Sequence, residues 1–269
     1  MRLLYLFILT ISIGLSSCSY GQLTVICSAP SHLKEISAIE YDANRSVFWV
    51  IQDSGNSSNL IAINAQGQIT HQLELKDCKN KDWEDLAQDR NGNLYIGDFG
   101  NNARSRNTYK IYKVSETNLD QKKTNPELIE FKLPKGMKEQ DFESFFIYDE
   151  HFYIFSKGDK KTNIYRVPNE KGEHKAKKIG SHEFKGKHNK VTSAAISPDK
   201  RIVVLLNGNK LWKLSDFKHD DFFSGDIKLM SFNHKSQKEG IGFLNHNEVV
   251  VSDERNENSG GKIYSFKLN

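Results

Sequence analysis

Glu84-Asp-Leu-Ala-Gln-Asp-Arg-Asn-Gly-Asn-Leu-Tyr-Ile-Gly-Asp98 is the stretch that decides the fold. A carboxylate leads a small apolar run, a polar turn follows, and a β-type run ends on a second acid. The same phrase recurs around Glu35-Ile-Ser, Glu143-Ser-Phe, Thr192-Ser-Ala and Glu239-Gly-Ile. Its turns are Asp42-Ala-Asn, Tyr148-Asp-Glu, Ser197-Pro-Asp and Asn245-His-Asn, and its β-type runs are Val47-Phe-Trp-Val-Ile, Phe152-Tyr-Ile-Phe, Ile202-Val-Val-Leu-Leu and Glu248-Val-Val-Val. The lead positions step by 49, 59, 49 and 47 residues. Several short strands repeating at roughly 40 to 50 residues are the signature of a β-propeller.

Each of the first four units reads as four strands, with alternating β-branched and aromatic residues and turns rich in Asn, Asp, Gly and Pro. The fifth runs out after Ile241–Leu244, Glu248–Ser252 and Lys262–Lys267. An incomplete last blade leaves an open sheet edge. The orphan strand Gln22–Ser28 fills it and joins the two ends of the ring. The expectation is an all-β, five-bladed propeller closed by an N-terminal strand. Six blades is the alternative, because the long second unit has room for irregular elements.

Residues 1–18 are excluded from that fold. Leu3 to Ser17 is an apolar run behind Arg2, too short for a comfortable membrane span, and reads as a signal-peptide core. It ends at Leu15-Ser16-Ser17-Cys18, which resembles the bacterial lipobox, so Cys18 is the expected lipidation site. The chain from 19 to 269 is then a single domain at the bacterial cell envelope, tethered to a membrane by lipid at the periplasmic or outer-membrane face. An ordinary secretory signal is the alternative. The net charge of +4 is mild. Lysines concentrate between Lys157 and Lys190 and read as a solvated loop face; no aromatic-interleaved basic stripe calls for nucleic acid. One remaining cysteine pair, Cys27 and Cys78, is no disulfide framework; two separate thiols is the default.

In a propeller the first strand of each blade lies nearest the axis. Glu35, Glu84, Glu143, Thr192 and Glu239 therefore form a ring. At about 5 Å and an effective dielectric near 20, each ionised pair costs about 3 kcal/mol. Either some acids are protonated, or a cation sits among them. Oxygen ligands without His or Cys point to Ca²⁺ before a transition metal. Structural acids that accept backbone N–H bonds are the alternative. The second strand ends beside the start of the first, which brings Asp53, Asp98, Lys157, Asn207 and Asp253 to the same polar mouth. The loops there add Asn101, Arg104, Arg106 and Arg255, a set that suits hydrogen bonding and, at the arginines, an anion. No Gly-x-Ser-x-Gly, His-Glu-x-x-His, Cys-x-x-Cys or phosphate-cradling glycine loop is present.

At Lys34-Glu-Ile-Ser-Ala-Ile, Asp82-Trp-Glu-Asp-Leu-Ala, Gly97-Asp-Phe-Gly-Asn-Asn and Lys238-Glu-Gly-Ile-Gly-Phe the chain resembles bacterial exported propellers of the SdiA-regulated and phytase-like-esterase group. Its acidic ring is similar to that of soluble calcium-activated apyrases, which implies one Ca²⁺ ligand per blade at Glu35, Glu84, Glu143, Thr192 and Glu239. Two functions stay open. One is a non-catalytic module at the cell envelope that binds a glycan, a protein or a small anionic ligand at the mouth; the missing nucleophile and base signatures favour it. The other is a Ca²⁺-dependent hydrolase of a phosphate ester, ester or lactone, with Asp98 or Asp253 as base and Lys157 and Arg104 orienting the anion. Asp53, Asn101, Arg104, Asn207 and Arg255 are the binding candidates in either case.

Overall fold

In the first blade the inner strands are buried on both faces and read as near-continuous apolar runs, and only the outermost alternates. Strand β1 (Thr24–Ser28) precedes the blade, then come β2 (Ile36–Asp42), β3 (Val47–Gln52), β4 (Asn59–Ile63) and β5 (Ile69–Leu75). Between β2 and β3 the turn is held by its own side chain: Asp42 Oδ1 accepts the N–H groups of Asn44 and Arg45 at 3.0 and 3.1 Å. Asp89 Oδ1 does the same for Asn91 and Asn93, Ser197 Oγ for Arg201 and Ile202, and Asn245 Oδ1 for Asn247. The recurring polar turn in the sequence is thus a recurring side-chain-to-backbone clasp, the reason short polar residues stand there.

These elements come from a computed structural model that describes residues 21–158, 161–186, 188–257 and 259–269. The second blade contains β6 (Trp83–Gln88), β7 (Leu94–Asp98) and β8 (Tyr109–Val114). A 3₁₀ turn at Glu116–Asn118 and β9 (Lys123–Thr124) follow, and β10 (Glu127–Lys132) completes it. The third has β11 (Phe142–Tyr148), β12 (His151–Ser156) and β13 (Lys161–Pro168), then β14 (Gly172–Lys175) and β15 (Lys177–Glu183). The fourth is β16 (Ser193–Ile196), β17 (Ile202–Asn207), β18 (Lys210–Ser215) and β19 (Asp226–Ser231); the fifth is β20 (Lys238–Asn245), β21 (Glu248–Asp253) and β22 (Lys262–Lys267). No α-helix occurs among the described residues, and no helix there is long and apolar enough to cross a membrane.

Five separate sheets result, antiparallel within each blade, and the innermost strands β2, β6, β11, β16 and β20 touch in a closed ring. Strand β1 pairs antiparallel with β22, Val25 opposite Tyr264 and Ser28 opposite Lys262. The ring therefore closes with the predicted N-terminal strand. The long second unit hides no sixth blade: β9 crosses to the first blade and lies parallel to β5. In the same way β14, from the third unit, lies parallel to β10 of the second. Five apolar clusters fill the five junctions between blades. One joins Trp49 and Leu60 to Trp83 and Tyr112; another joins Tyr95 and Phe131 to Phe142 and Tyr165. The junction of fifth and first blades, with Ile39, Phe48, Val250 and Ile263, is as apolar as the others. Residues 1–18, with the lipidation expected at Cys18, lie outside the described residues. Cys27 and Cys78 are free thiols.

Candidate functional site

Strand register defines the site. Ile36, Trp83, Phe142 and Lys238 pair with Gln52, Asp98, Ser156 and Asp253, and a β-bulge follows each of them. The bulged residues are Ser37, Glu84, Glu143 and Glu239; Thr192, whose N–H donates to Leu206, holds that place in the fourth blade. A bulge re-aims its side chain off the sheet. Two residues earlier stand Glu35, Asp82, Asp141, Lys190 and Gln237. The innermost strands thus carry two tiers, an outer one at those five residues and an inner one at Ser37, Glu84, Glu143, Thr192 and Glu239. Glu35 belongs to the outer tier. A two-residue slip keeps a side chain on the same face, so Glu35 stays at the mouth while Ser37 holds its expected place in the inner ring.

The second strands supply a third set. The N–H groups of Asp53, Lys157 and Glu254 donate to the carbonyls of Glu35, Asp141 and Gln237 at 2.9, 2.8 and 2.9 Å. Ligand oxygens of Asp53, Asp82 and Glu84 lie within 4.8 Å of one another. Glu84 is only 8% exposed, and among the described residues no donor or cation pairs with its carboxylate. Gly100 makes room for this cluster: a Cβ there would lie 2.1 Å from Glu84 Oε1 and 2.5 Å from Asp82 Oδ2. Glu143, 2% exposed, is paired with Lys157 at 2.6 Å.

The electrostatics follow from crowding. Burial, then the charges of Glu143, Asp53 and Asp82, holds the Glu84 carboxyl well above the usual range. Burial pushes Glu143 up to about 8 against the pull of Lys157. Glu239 is raised by burial, Glu254 goes to about 7 through burial and then Glu239, and Asp82 to about 6 through burial and then Asp53. Burial works to lower the Lys157 ammonium, but Glu143, Glu84 and Glu239 outweigh it and its pKa is raised. The cup is short of positive charge.

The cup is also blind. One step below the inner tier, the fully buried Asp85 reaches across the axis. It accepts from the N–H of Phe145 at 2.9 Å, the hydroxyl of Ser193 at 2.8 Å and the N–H of Ala194 at 3.3 Å. Ser193 Oγ in turn accepts from Ile241 N–H at 3.1 Å. Four blades are thereby tied at one point. Gly240 belongs to the same layer, where a Cβ would come within 2.8 Å of the Ala38 backbone.

The other candidates have different partners. Asp98 is buried in an ion pair with Arg106 at 2.9 Å. Asp253 accepts from Lys262 N–H at 2.7 Å and from the Tyr264 hydroxyl at 2.8 Å. Asn101 is consumed by its own loop, accepting from Ser105 and Arg106 N–H and donating to Arg106, Tyr109 and Gln140. Asn207 donates to the Lys190 carbonyl. Arg255 donates to the carbonyls of Ala29 and Gly261, and its N–H to Lys34, which fastens the closing segment to the fifth blade. Arg104 is exposed at a left-handed turn, φ 52°. Of the expected set the structure brings Glu35, Asp53, Glu84, Glu143, Lys157 and Glu239 to one mouth, and adds Asp82, Asp141 and Glu254. The added acids had a signal: two lie two residues before a lead Glu, and the third directly follows Asp253.

No protein-family model and no curated protein sequence matches this chain. Solved structures do. A PQQ-bound aldose sugar dehydrogenase from Streptomyces coelicolor is 9% identical, with a TM-score of 0.55 over 92% of this chain and 98% of that one. A gluconolactonase from Xanthomonas campestris is 9% identical, with a TM-score of 0.50 over 86% and 71%. Virginiamycin B lyase from Staphylococcus aureus is 15% identical, with a TM-score of 0.45, and 86% of this chain spans 66% of that lyase. These neighbours are β-propellers. At such identities the likeness to the dehydrogenase and the gluconolactonase establishes the fold and nothing of the chemistry.

Proposed function

We propose that this protein is an exported β-propeller, lipid-anchored through Cys18 at the cell envelope, whose acidic cup binds Ca²⁺ and, with it, a glycan or protein partner. The single observation that supports this is the meeting of Asp53, Asp82 and Glu84 within 4.8 Å. The donors are all carboxylate oxygens, with no His or Cys, which suits a hard cation. Among the described residues Glu84 is buried without an ion-pair partner, and a cation would relieve the desolvation that otherwise holds its carboxyl protonated. The surplus of carboxylates disfavours a small anionic ligand until a cation is bound. When present, Ca²⁺ would supply a Lewis-acidic contact for a ligand oxygen.

Elemental analysis of the purified protein and melting curves with Ca²⁺ or chelator test the reading. At Ca²⁺ near one hundred times Kd the stabilisation is about 2.7 kcal/mol, a Tm rise of roughly 5–10 °C for a domain of this size. Glu84→Gln removes that rise. A metal-free protein whose Tm ignores Ca²⁺ rules the site out.

A second reading, a Ca²⁺-dependent hydrolase of a phosphate ester, ester or lactone, is favoured by the placement of Lys157 and Glu254 at the same mouth. Lys157 would orient an anionic substrate, and Glu254 is better exposed than Asp98 or Asp253 to serve as base. Ca²⁺-dependent turnover of a phosphoester and lactone panel, lost in Glu143→Gln, would select this reading; metal binding without turnover selects the module.

A further inference from the structure

Lys157 stands where two of its counterparts are acids and a third, in the second blade, is Gly100. In the first and fifth blades the residue whose N–H donates to the outer-tier carbonyl is Asp53 or Glu254; in the third it is Lys157. Its backbone is fixed on both sides, by the bond to Asp141 at 2.8 Å and by a tight turn in which Gly158 N–H donates to Ser156 at 3.0 Å. The ammonium points inward, 2.6 Å from Glu143, and Glu84 and Glu239 act on it as well. Glu84 is also a member of the Asp53–Asp82–Glu84 cluster. A divalent cation in that cluster and the Lys157 ammonium would both feel the Glu84 charge, and they repel each other.

We infer that Lys157 is a tethered counter-ion that competes with the metal and sets how much Ca²⁺ is needed to fill the cup. The inference rests on the metal reading above. In the metal-free protein Lys157 offsets part of the carboxylate repulsion. Entry of Ca²⁺ works against it, and the ammonium lowers affinity without touching the ion.

Calorimetric titration of CaCl₂ into metal-stripped wild type, Lys157→Gln and Lys157→Met tests it. Removing the ammonium should tighten Ca²⁺ binding roughly tenfold or more, by the reciprocity of coupled binding. The same variants should melt lower than wild type without metal and gain more on adding Ca²⁺. A lysine with only a packing role would lower Tm in both conditions and leave affinity alone. The methionine variant keeps the aliphatic stem and carries the test if the glutamine variant folds poorly. Equal or weaker Ca²⁺ binding in both variants overturns the inference while leaving the metal site standing. No binding by any of the three proteins removes both. Binding by the variants alone upholds the competition but overturns the reading that wild type holds Ca²⁺.

Discussion

Asp85 shows what one side chain does at the axis. Its carboxyl pKa is held well above the usual range because burial outweighs the hydrogen bonds it accepts. An acid serves there because no apolar residue could satisfy Phe145 N–H, Ala194 N–H and the Ser193 hydroxyl together. Removing an acceptor leaves buried donors unmet at about 1–3 kcal/mol each. Asp85→Ala should therefore cost about 3–5 kcal/mol in urea unfolding. Asp85→Asn, which keeps a carbonyl oxygen for the two N–H groups, should cost about 1–2. Equal losses in the two variants would mean that volume, not hydrogen bonding, sets the role. The sequence displayed this residue inside the repeat, yet period and face say nothing of which side chain crosses the axis. Lead Glu residues were legible because the phrase repeats. The slip at Glu35 was not, since Glu35-Ile-Ser and the true counterpart Ser37-Ala-Ile differ by two positions and share a face.

At the scale of elements, all four strands of the first four blades were readable, outer edges such as Ile69–Leu75 included, and the two short crossing strands were not. Runs such as Val47–Gln52 and Ile202–Asn207 are apolar and β-branched, whatever their neighbours. By contrast β9, Lys123–Thr124, and β14, Gly172–Lys175, are short and largely polar, and join by backbone bonds to a neighbouring blade. Nothing in composition announces such a strand. What holds the crossing segment is Arg45, which pairs with Asp42 at 3.0 Å, Glu116 at 2.8 Å and Asp120 at 3.0 Å. Asp42 also accepts from Trp49 Nε1 at 3.2 Å, so the network is anchored in the core. One exposed pair is worth little, but a shared, partly buried guanidinium is worth more. Arg45→Ala should lower stability by about 1–2 kcal/mol and speed proteolysis between Gln121 and Asn125. An unchanged cleavage rate would show that backbone pairing of β9 suffices alone.

The whole molecule inherits a pH dependence from its axis. Ordinary proteins lose stability in acid because their carboxylates have depressed pKa values in the fold. Here the acids of the mouth run the other way: Glu143 is raised to about 8, Glu254 to about 7 and Asp82 to about 6, in every case by burial first. Below about pH 4 these groups are protonated in both folded and unfolded chains, and their full contribution to stability is present. As pH rises, the unfolded chain releases protons that the fold retains, so stability falls until the folded groups titrate near pH 8. His182 and His234, whose imidazoles burial holds low, oppose the trend in this window but are only partly buried, while the depressed Asp120 and Asp199 act only in more acid solution. Full conversion of such shifts, at 1.36 kcal/mol per unit, overstates the effect for coupled groups; a net loss of ~3 kcal/mol from pH 5 to pH 8 is the expected scale. Metal-stripped protein should thus melt roughly 5–10 °C lower at pH 8 than at pH 5. Saturating Ca²⁺ should flatten the slope, because a bound cation stabilises the ionised forms of the same carboxyl groups. A metal-free Tm that rises from pH 5 to pH 8 would mean that the crowded acids at the mouth are ionised at little cost, and the argument for a cation there would go with it.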